Sequence, residues 1–587
     1  MRLPKLMELQ TSREMVDVFK GYNHNLRIGS GEFYDMKNLS SDNYPLLSPR
    51  QKRSVVIPSG EDKKPKGIIA KKELWYVDGT KICQHAGEKY DLGLNDEDKQ
   101  LVSMGAYIII MPDKKYINTE NTDDRGDIEE TFTSVGEVSI TPCKVDGVAY
   151  ENIKKQDTEP TDKTVLWLDT SSEPHSLKQY STSSSMWVAI PTTYVKIEAS
   201  DIEASGIGAK FNVYDGVTIS GINDESLSDL NASAVIWAKG DGYIVVTGLI
   251  DKAKTITDTI KVERRMPDMD FITESENRIF GCKYGKTENG EMINEIYASK
   301  LGDFKNWNCF MGISTDSYAA SVGSDGPFTG AITHLGYPLF FKENCLHKIY
   351  GNYPANYQIQ TTSCRGVQRG CDRSLAIVNE VLYYKARSGV CAYDGSLPVE
   401  MSYAFGSEES YSNAVAGALG NKYYVSMIND EGEWTLFVYD TSKGMWHKED
   451  ALQVSDFCNF KGNLYLINYA TNDIMAVHGS KVGVIDELPV KWEAITGVLG
   501  TDSPDKKYIS RIDVRMTLEV GARVIFFAEY DSSGVWEHLF TMTGRTLQSF
   551  SVPIRPQRCD HLRLKIEGEG DAKVFSICKT VEEGSDV

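Results

Sequence analysis

The stretch NKYYVSMINDEGEWTLFVYD, residues 421–440, places two short apolar runs on either side of a polar turn that contains glycine. Similar stretches are PLFFKENCLHKIYG (338–351), EVLYYKARSGVCAYDG (380–395) and NLYLINYATNDIMAV (463–477). Their central aromatic residues are spaced by 43, 41 and 41 positions, at Phe340, Tyr383, Tyr424 and Tyr465. A repeat of about 40–45 residues with roughly four strands is the size of one β-propeller blade. The pattern therefore predicts a β-propeller.

Less regular units extend the series towards the N-terminus. They are ELWYVDGTKICQHAG (73–87), GAYIIIMPDKKYINT (105–119), and the pair NRIFGCKYG and NEIYASKLGDFKNW within 277–307. Together the units give seven strand pairs, so we expect six or seven blades. In the last unit Phe304 and Trp307 are expected to pack between sheets, because aromatic side chains bury large areas; glycan binding is the alternative role.

Composition supports an all-β protein of several domains. The chain has 587 residues, 31 tyrosines and 49 glycines, and short β-branched clusters outnumber helix-favouring runs. Its formal net charge is −20, which argues against nucleic acid as a general ligand because a phosphate backbone attracts clustered cations.

Changes of pattern divide the chain into five segments. We predict an extended N-terminal arm (1–50), first propeller blades (51–120), an acidic inserted β domain (121–266), the remaining blades (267–485) and a C-terminal β-sandwich (486–587). The insertion holds 24 acidic and 14 basic residues. The last segment shows alternating apolar residues between Gly, Ser and Pro turns, which is typical of an antiparallel sandwich.

No pattern predicts a cofactor, a metal site or a disulfide framework. The eleven cysteines are scattered, without a CxxC pair. The charged start MRLPKLMELQTSREM argues against export, and the apolar runs AYIIIM (106–111) and YIVVTGLI (243–250) are too short to cross a bilayer. We expect a protein made in a reducing compartment and not inserted in a membrane.

One basic segment stands out in the acidic chain. Residues 50–72 hold eight basic and two acidic residues. This run predicts either a solvated loop and strand edge or a docking patch for an acidic neighbour. The patch would consist of Arg50, Lys52, Arg53, Lys63, Lys64 and Lys66.

The search for catalytic groups is negative. No nucleophile elbow, P-loop or zinc motif occurs, and the acidic run at 120–130 has Arg125 at a ligand position of the calcium-loop template. Asp268 and Asp270 would share one face of a strand and could form a carboxylate pair for glycoside cleavage. Charged residues at a domain boundary explain them more simply, so we expect no enzyme.

Several phrases resemble a family of uncharacterised proteins encoded in phages and prophages of Firmicutes. They are MPDMDFITESENRIFGC (266–282), NEIYASKLGDFKNW, GYPLFFKENCLHKIYG (336–351), VLYYKARSGVCAYDGS (381–396) and RCDHLRLKIEGEGDAKVFSICKTVEEGSD (558–586). The likeness runs from about Tyr22 to the end. The architecture is similar, more remotely, to the propeller-based hub, nozzle or stabilisation proteins of short-tailed phages.

This resemblance implies a non-enzymatic virion protein of the tail, made and assembled in the bacterial host cytoplasm. About six copies would form a ring around passing DNA, in contact with other tail or portal and adaptor proteins. One alternative is a receptor-binding tail protein that presents aromatic residues to glycans. Its candidate contacts are Trp446, Trp492, Tyr530 and Trp536. A second alternative is a glycan-cleaving propeller enzyme that uses Asp268 or Asp270.

Overall fold

The computed structural model describes residues 11–59, 64–287, 290–479, 482–500, 506–554 and 558–582. Strands make up 53% of the chain and helices 3%, which confirms the all-β prediction. The helical elements of the described residues are short: α1 (Ile207–Lys210) and 3-10 turns at Glu225–Leu230, Pro354–Asn356, Asp372–Ser374 and Tyr403–Phe405.

Most of the N-terminal strands pair with strands that come much later in the sequence. These strands are β1 (Thr11–Val16), β2 (Gly21–Tyr22), β3 (Glu32–Lys37), β4 (Leu39–Ser40), β5 (Ser48–Pro49) and β6 (Ser54–Ile57). β4 and β5 pair with each other, whereas the other four pair with strands after residue 440. Residues 11–57 are therefore built into the fold.

Two four-stranded antiparallel sheets follow. The first contains β7 (Pro65–Ala70), β8 (Leu74–Asp78), β9 (Lys81–Gln84) and β10 (Lys89–Asp91). The second contains β11 (Gln100–Met104), β12 (Tyr107–Met111), β13 (Lys115–Asn118) and β14 (Arg125–Asp127). Because β14 completes the second sheet, the inserted segment begins after residue 127 and not at the predicted residue 121.

The insertion has its own sheets and core. Its strands are β15 (Glu130–Thr133), β16 (Val138–Cys143), β17 (Ile153–Gln156), β18 (Leu166–Asp169), β19 (Ser176–Ser181), β20 (Met186–Ala189), β21 (Tyr194–Glu198), β22 (Gly216–Ser220), β23 (Ser233–Val235), β24 (Ala238–Gly240), β25 (Tyr243–Thr247), β26 (Lys254–Ile256) and β27 (Lys261–Arg264). They form sheets in the orders β15-β27-β22-β23, β24-β25-β21-β16-β26 and β17-β18-β19-β20. A separate apolar cluster fills the insertion, with Phe132, Ile197 and Val262 among its members.

After the insertion the four-strand pattern resumes. The next two sheets contain β28 (Phe271–Ser275), β29 (Arg278–Lys286), β30 (Met292–Ala298) and β31 (Tyr318–Ser321), then β32 (Gly330–His334), β33 (Tyr337–Lys342), β34 (Cys345–Tyr350) and β35 (Gln358–Ser363). Two further groups are β36 (Ala376–Val378), β37 (Val381–Ala386), β38 (Gly389–Tyr393) and β39 (Val399–Glu400), and β40 (Tyr411–Leu419), β41 (Lys422–Asn429), β42 (Trp434–Asp440) and β43 (Met445–Lys448). The opening stretch of sequence forms β41, β42 and the turn between them.

The last unit of this series is completed from the other end of the chain. Its strands β44 (Val454–Phe460), β45 (Asn463–Asn468) and β46 (Ile474–Ala476) are followed by β6, and β47 (Ile485–Asp486) pairs on the far side of β6. Val56 of β6 is buried with Tyr465, Ile467 and Ile474. This apolar packing stabilises the pairing of β6 with a sheet whose other strands lie some 400 residues later in sequence.

The C-terminal strands form a large curved sheet. They are β48 (Lys491–Thr496), β49 (Lys507–Tyr530), β50 (Glu537–Val552), β51 (Arg558–Cys559), β52 (Leu562–Glu569) and β53 (Ala572–Glu582). The first half of β49 pairs with β53 and its second half with β52, and the register breaks near Gly521, whose φ of +91° suits glycine. The sheet continues through β3 and β2 to β43, so it joins the C-terminal strands to the β40–β43 unit.

Most of the first strands of the repeated units lie next to one another. β7 contacts β11 and β44, β11 contacts β28, β28 contacts β32, and β40 contacts β36 and β44. Phe304 and Trp307 are buried in a cluster with residues of the second sheet, and the Phe304 ring centroid is 4.9 Å from that of Tyr107. These two aromatic residues therefore pack between sheets, as the sequence predicts.

Candidate functional site

A cavity of about 770 Å³ lies where the first strands of the repeated units come together. Every residue that lines it lies outside the insertion and outside the C-terminal strands. Its lining includes four aspartates, two cations and two phenylalanines: Asp98, Asp270, Asp372 and Asp456, Lys99 and Arg373, and Phe271 and Phe457.

Local structure places the carboxylates at equivalent points of their units. Asp98 and Asp270 stand just before β11 and β28, and Asp372 lies in the 3-10 turn that leads into β36. Asp456 lies in β44, at an irregularity in its pairing with β45. Bulges commonly redirect a side chain away from the regular ladder. The sheets therefore present these groups to a shared space.

Arg373 ties three parts of the cavity wall together. Its Nη1 donates to the carbonyl oxygen of Ser455 at 2.7 Å, and its Nη2 donates to the carbonyl oxygen of Lys99 at 3.2 Å. These carbonyls belong to the residues next to Asp456 and Asp98. One guanidinium therefore links the backbone beside Asp456 to the backbone beside Asp98.

The pKa values of two carboxyls that line the cavity, those of Asp372 and Asp456, are raised. Burial raises the pKa of Asp372, and the nearby Asp98 carboxylate raises it further while Arg373 opposes the shift. Burial likewise raises the pKa of Asp456, again with Arg373 opposing and Asp98 adding to the shift. A buried carboxyl with a raised pKa can hold a proton at a pH where exposed aspartates have lost theirs.

The two carboxyls differ in their hydrogen bonds. Asp456 accepts backbone N–H groups from Ile68 at 3.1 Å and from Phe457 at 2.9 Å. Such bonds favour the ionised form of the carboxyl. The shift at Asp372 includes a hydrogen bond only from its own backbone N–H. Asp372 is thus better suited to carry a proton and Asp456 to act as an anion.

The aspartates chosen from sequence are not brought together as an acid and base pair. Asp268 is 77% exposed and lies 2.7 Å from the Lys114 ammonium, which lowers its pKa. Asp270 pairs with Lys283 at 2.9 Å and accepts the backbone N–H of Tyr284. Only Asp270 reaches the cavity.

The basic segment does not form a surface patch. Arg50 and Arg53 are buried, and Arg53 lies 2.5 Å from Glu449 and 2.8 Å from Asp450, while Arg50 lies 2.8 Å from Glu487. These ion pairs use both guanidinium groups inside the fold, so the docking interpretation is corrected for these two arginines. Lys64 is exposed, Lys52 and Lys66 are partly buried, and Lys63 lies outside the described residues.

Three of the four aromatic candidates for glycan contact belong to the core. Trp446, Trp492 and Tyr530 are each no more than 6% exposed and share one apolar cluster. The indole N–H groups of Trp446 and Trp492 donate to the carbonyl oxygens of Met401 and Gly570. These three side chains are therefore unavailable to a glycan. Trp536 is half-buried, with the Lys565 ammonium 5.1 Å from its ring centroid.

Sequence reasoning missed Asp372, Arg373 and Asp456. The repeats were aligned on the second strand of each unit, where apolar residues are most regular, whereas the polar groups lie at or before the first strand. An alignment on the first strands would have shown an aspartate recurring near the start of four units. This recurrence of aspartate is the sequence signal that points to the cavity.

No family model and no curated protein matches the chain. Solved structures with similar folds include BamB from Moraxella catarrhalis, at 9% identity and a TM-score of 0.28, covering 75% of this chain and 97% of that one. An exo-β-1,3-galactanase from Phanerochaete chrysosporium has 8% identity and a TM-score of 0.20, covering 52% and 94%. A sialidase from Trypanosoma rangeli has 9% identity and a TM-score of 0.23, covering 68% and 93%.

These neighbours are β-propellers. Glycoside hydrolases recur among them, and this finding contradicts the predictions of a non-enzymatic tail protein and of no enzyme. At such identities the likeness concerns the fold, and a reaction has to be argued from the site. The phage resemblance, the ring of about six copies and the virion location stay predictions.

Within the described ranges, no helix has the length and apolar character to span a bilayer.

Proposed function

We propose that this protein hydrolyses glycosidic bonds and that the cavity between the repeated units is its active centre. The observation that carries the proposal is that Asp98, Asp372 and Asp456 line one cavity together with Arg373, and that the pKa values of Asp372 and Asp456 are raised. Hydrolysis of a glycosidic bond needs one carboxyl that holds a proton and one that is ionised. This cavity supplies candidates for both.

Asp372 is the proposed general acid. Its raised pKa keeps a proton available, and the proton passes to the glycosidic oxygen as the bond to the anomeric carbon breaks. Asp456 is the proposed general base. It takes a proton from a water molecule whose oxygen attacks the anomeric carbon, so one water is consumed for each bond cleaved. Arg373 stabilises the negative charge on Asp456.

The cavity suits a sugar in size and in lining. Its volume of about 770 Å³ lies within the usual range of small-ligand sites, roughly 300–1,000 Å³. Phe271 and Phe457 offer apolar surface to the C–H faces of a sugar ring, and the polar side chain of Asn459 also lines the cavity. An oligosaccharide is the class of substrate that this mixed lining favours.

The proposal includes a finer description of the fold. We infer that the seven units beginning with β7, β11, β28, β32, β36, β40 and β44 are the blades of one propeller, with β6 as the outer strand of the last blade. The C-terminal strands are two layers of a β-sandwich that share the bent strands β49 and β50. Contacts between successive first strands and the shared apolar cluster of the C-terminal strands support these inferences.

Asparagine substitution tests the proposal directly. We expect the purified protein to release 4-nitrophenol from at least one member of a panel of 4-nitrophenyl glycosides. Asp372→Asn and Asp456→Asn should each lower kcat/KM by about 100-fold or more, because each removes an acid or base contribution of that order. Asp430→Asn, in the exposed turn between β41 and β42, is the matched control and should keep full activity.

Two results would contradict the proposal. One is unchanged turnover in both cavity variants. The other is the absence of hydrolysis across the glycoside panel and across a set of neutral oligosaccharides followed by chromatography.

A further inference from the structure

The outer face of the C-terminal sheet carries three arginines that the cavity does not use. Arg13 lies on β1 and Arg511 and Arg515 lie on β49, next to a groove of about 580 Å³. The guanidinium-bearing side chains of Arg13 and Arg511 are 63% and 59% exposed, and Arg515 is also exposed. We call Arg13, Arg511, Arg515 and the residues between them the arginine groove.

Strand register explains why these side chains share one face. Arg511, Asp513 and Arg515 alternate along β49 with the buried residues Ile512 and Val514, so all three point outwards. Arg13 and Arg511 both pair with Thr580, one from each side of β53, which places them in one row across the sheet.

The hydrogen bonds of the groove fix the arginines without covering them. Arg13 Nη2 and Arg511 Nε donate to the two carboxylate oxygens of Asp513, at 2.9 and 2.7 Å. Arg515 Nε donates to the Ser549 hydroxyl at 2.9 Å. Holding the flexible side chains in place reduces the entropy that a ligand must otherwise remove on binding.

Charge sets this groove apart from the rest of the chain. The whole protein has a formal charge of −20, yet the groove lining holds three arginines and a single carboxylate. Local potential depends on the nearest charges, because solvent and salt screen those beyond about 10 Å. The groove is therefore a local site for an anion, and an arginine fork matches a carboxylate or sulfate in shape as well as charge.

We propose that the arginine groove binds an anionic polysaccharide, one whose sugars carry carboxylate or sulfate groups. The inference rests on the proposed glycan-cleaving function, to which it adds a second contact with carbohydrate. Hydroxyls of Ser549, Ser551 and Ser576 line the groove beside the arginines and offer hydrogen bonds to sugar hydroxyls. Arg511 and Arg515 are four residues apart on one strand, about 13 Å, so they contact separated sugars of one chain.

Nucleic acid is a poorer fit to the same surface. Stable binding to a phosphate backbone depends on many cationic contacts, and its strength falls steeply with salt. Three arginines, two of which share one aspartate, provide few such contacts on a strongly acidic protein. A polysaccharide that carries an isolated carboxylate or sulfate on each of several sugars requires only these few arginine contacts.

The test measures binding of the full chain to immobilised polysaccharides by biolayer interferometry. Polygalacturonate is the carboxylate probe, dextran sulfate the sulfate probe, and fully methyl-esterified polygalacturonate the uncharged probe. Arg511→Ala/Arg515→Ala should weaken binding at least 10-fold, and Arg511→Lys/Arg515→Lys should give a smaller loss because lysine keeps the charge and loses the fork. Arg369→Ala/Arg387→Ala removes the same charge from exposed propeller positions and should bind as the parent does.

Every outcome of this binding experiment either supports the proposal or overturns it. Binding to either anionic probe that is lost in the Arg511→Ala/Arg515→Ala variant, and absent for the esterified probe, supports the proposal and identifies the anionic group. Equal affinity in that variant, equal loss in the Arg369/Arg387 control, or no binding to either anionic probe overturns it. Tighter binding of a 20-base-pair DNA through the same arginines also overturns it.

The design separates this inference from the proposed reaction. Asp372→Asn should lose hydrolysis while it keeps full binding to the anionic probe. If the parent protein hydrolyses nothing but binds through Arg511 and Arg515, the reaction fails and the groove stands. If hydrolysis is lost in Asp372→Asn but the groove variants bind normally, the proposed reaction stands and the proposed binding groove fails.

Discussion

Asp372 combines a chemical role with a cost to stability. Its folded-state pKa is raised by burial, so the fold favours the protonated carboxyl. A raised carboxyl pKa stabilises the folded state only at pH values below the unfolded pKa of about 4, and that contribution is lost as the pH rises through the folded pKa. At neutral pH the ionised side chain therefore destabilises the protein.

We expect Asp372→Asn to be more stable than the parent at pH 7, by about 1 kcal/mol, while it loses activity. The neutral amide removes the charge that burial disfavours. The gain should disappear below about pH 4, where Asp372 is protonated in both states. Urea unfolding at pH 7 and pH 3.5 measures both values. A variant less stable than the parent at pH 7 would show that Asp372 has a structural role instead.

Single residues also show what sequence could not reveal. Arg50 and Arg53 belong to the most basic run of the chain, which predicts exposure, but their partners Glu449, Asp450 and Glu487 lie about 400 residues later. An arginine with several nearby carboxylates can be buried, and a local charge count contains no information about such distant partners. The same limit hid the cavity that Asp98, Asp372 and Asp456 line together with Arg373.

At the level of elements, hairpins are readable from sequence and distant pairings are not. The repeats at 338–351, 380–395 and 463–477 each contain two strands that pair with each other, as their two apolar runs on either side of a polar turn predict. Strand β6 pairs with β46 and β47, which lie more than 400 residues later in the chain. It falls within residues 51–120, which the sequence predicts as the first blades, and no local pattern indicates partners so far along the chain.

Val56 on β6 provides a test at this level. It packs against Tyr465, Ile467 and Ile474 of the last unit, so Val56→Ala should cost about 1–3 kcal/mol through lost apolar burial and the cavity that remains. Val484→Ala, at a 71% exposed position, is the matched control and should cost less than about 0.5 kcal/mol. Urea unfolding gives both values. Equal effects in the two variants would show that β6 contributes little to holding the last unit.

At the scale of the whole molecule, the insertion is attached through a narrow connection. Its first and last strands, β15 and β27, pair so that Glu130 lies opposite Arg264. The insertion also contacts the third unit through Asn306, whose amide oxygen accepts the Gly216 N–H and whose amide nitrogen donates to Asp215. Asp215 in turn pairs with Arg264 at 2.6 Å.

Replacing residues 130–264 with a short Gly-Ser turn should leave the rest of the protein folded. The two chain ends are neighbours, opposed residues of an antiparallel pair being about 5 Å apart, and the cavity lining lies outside the insertion. We expect a cooperative thermal transition and hydrolysis within about 3-fold of the parent, measured by calorimetry and with the glycoside that the parent cleaves. The intact variant Asn306→Ala is the control for loss of the polar link alone. Loss of folding in the shortened chain but not in Asn306→Ala would show that the repeated units depend on the insertion.

The sheet that contains both the first strands and the C-terminal strands also limits the order in which the protein can fold during synthesis. Strand β1 pairs with β53, and β2 and β3 pair with each other and also with β43 and β48, so each of these three strands keeps an unpaired edge until much later strands have left the ribosome. Contacts between residues so distant in sequence are slow to form. Unpaired strand edges meanwhile favour aggregation, so a nascent chain of this protein needs chaperones for longer than one whose domains fold in succession.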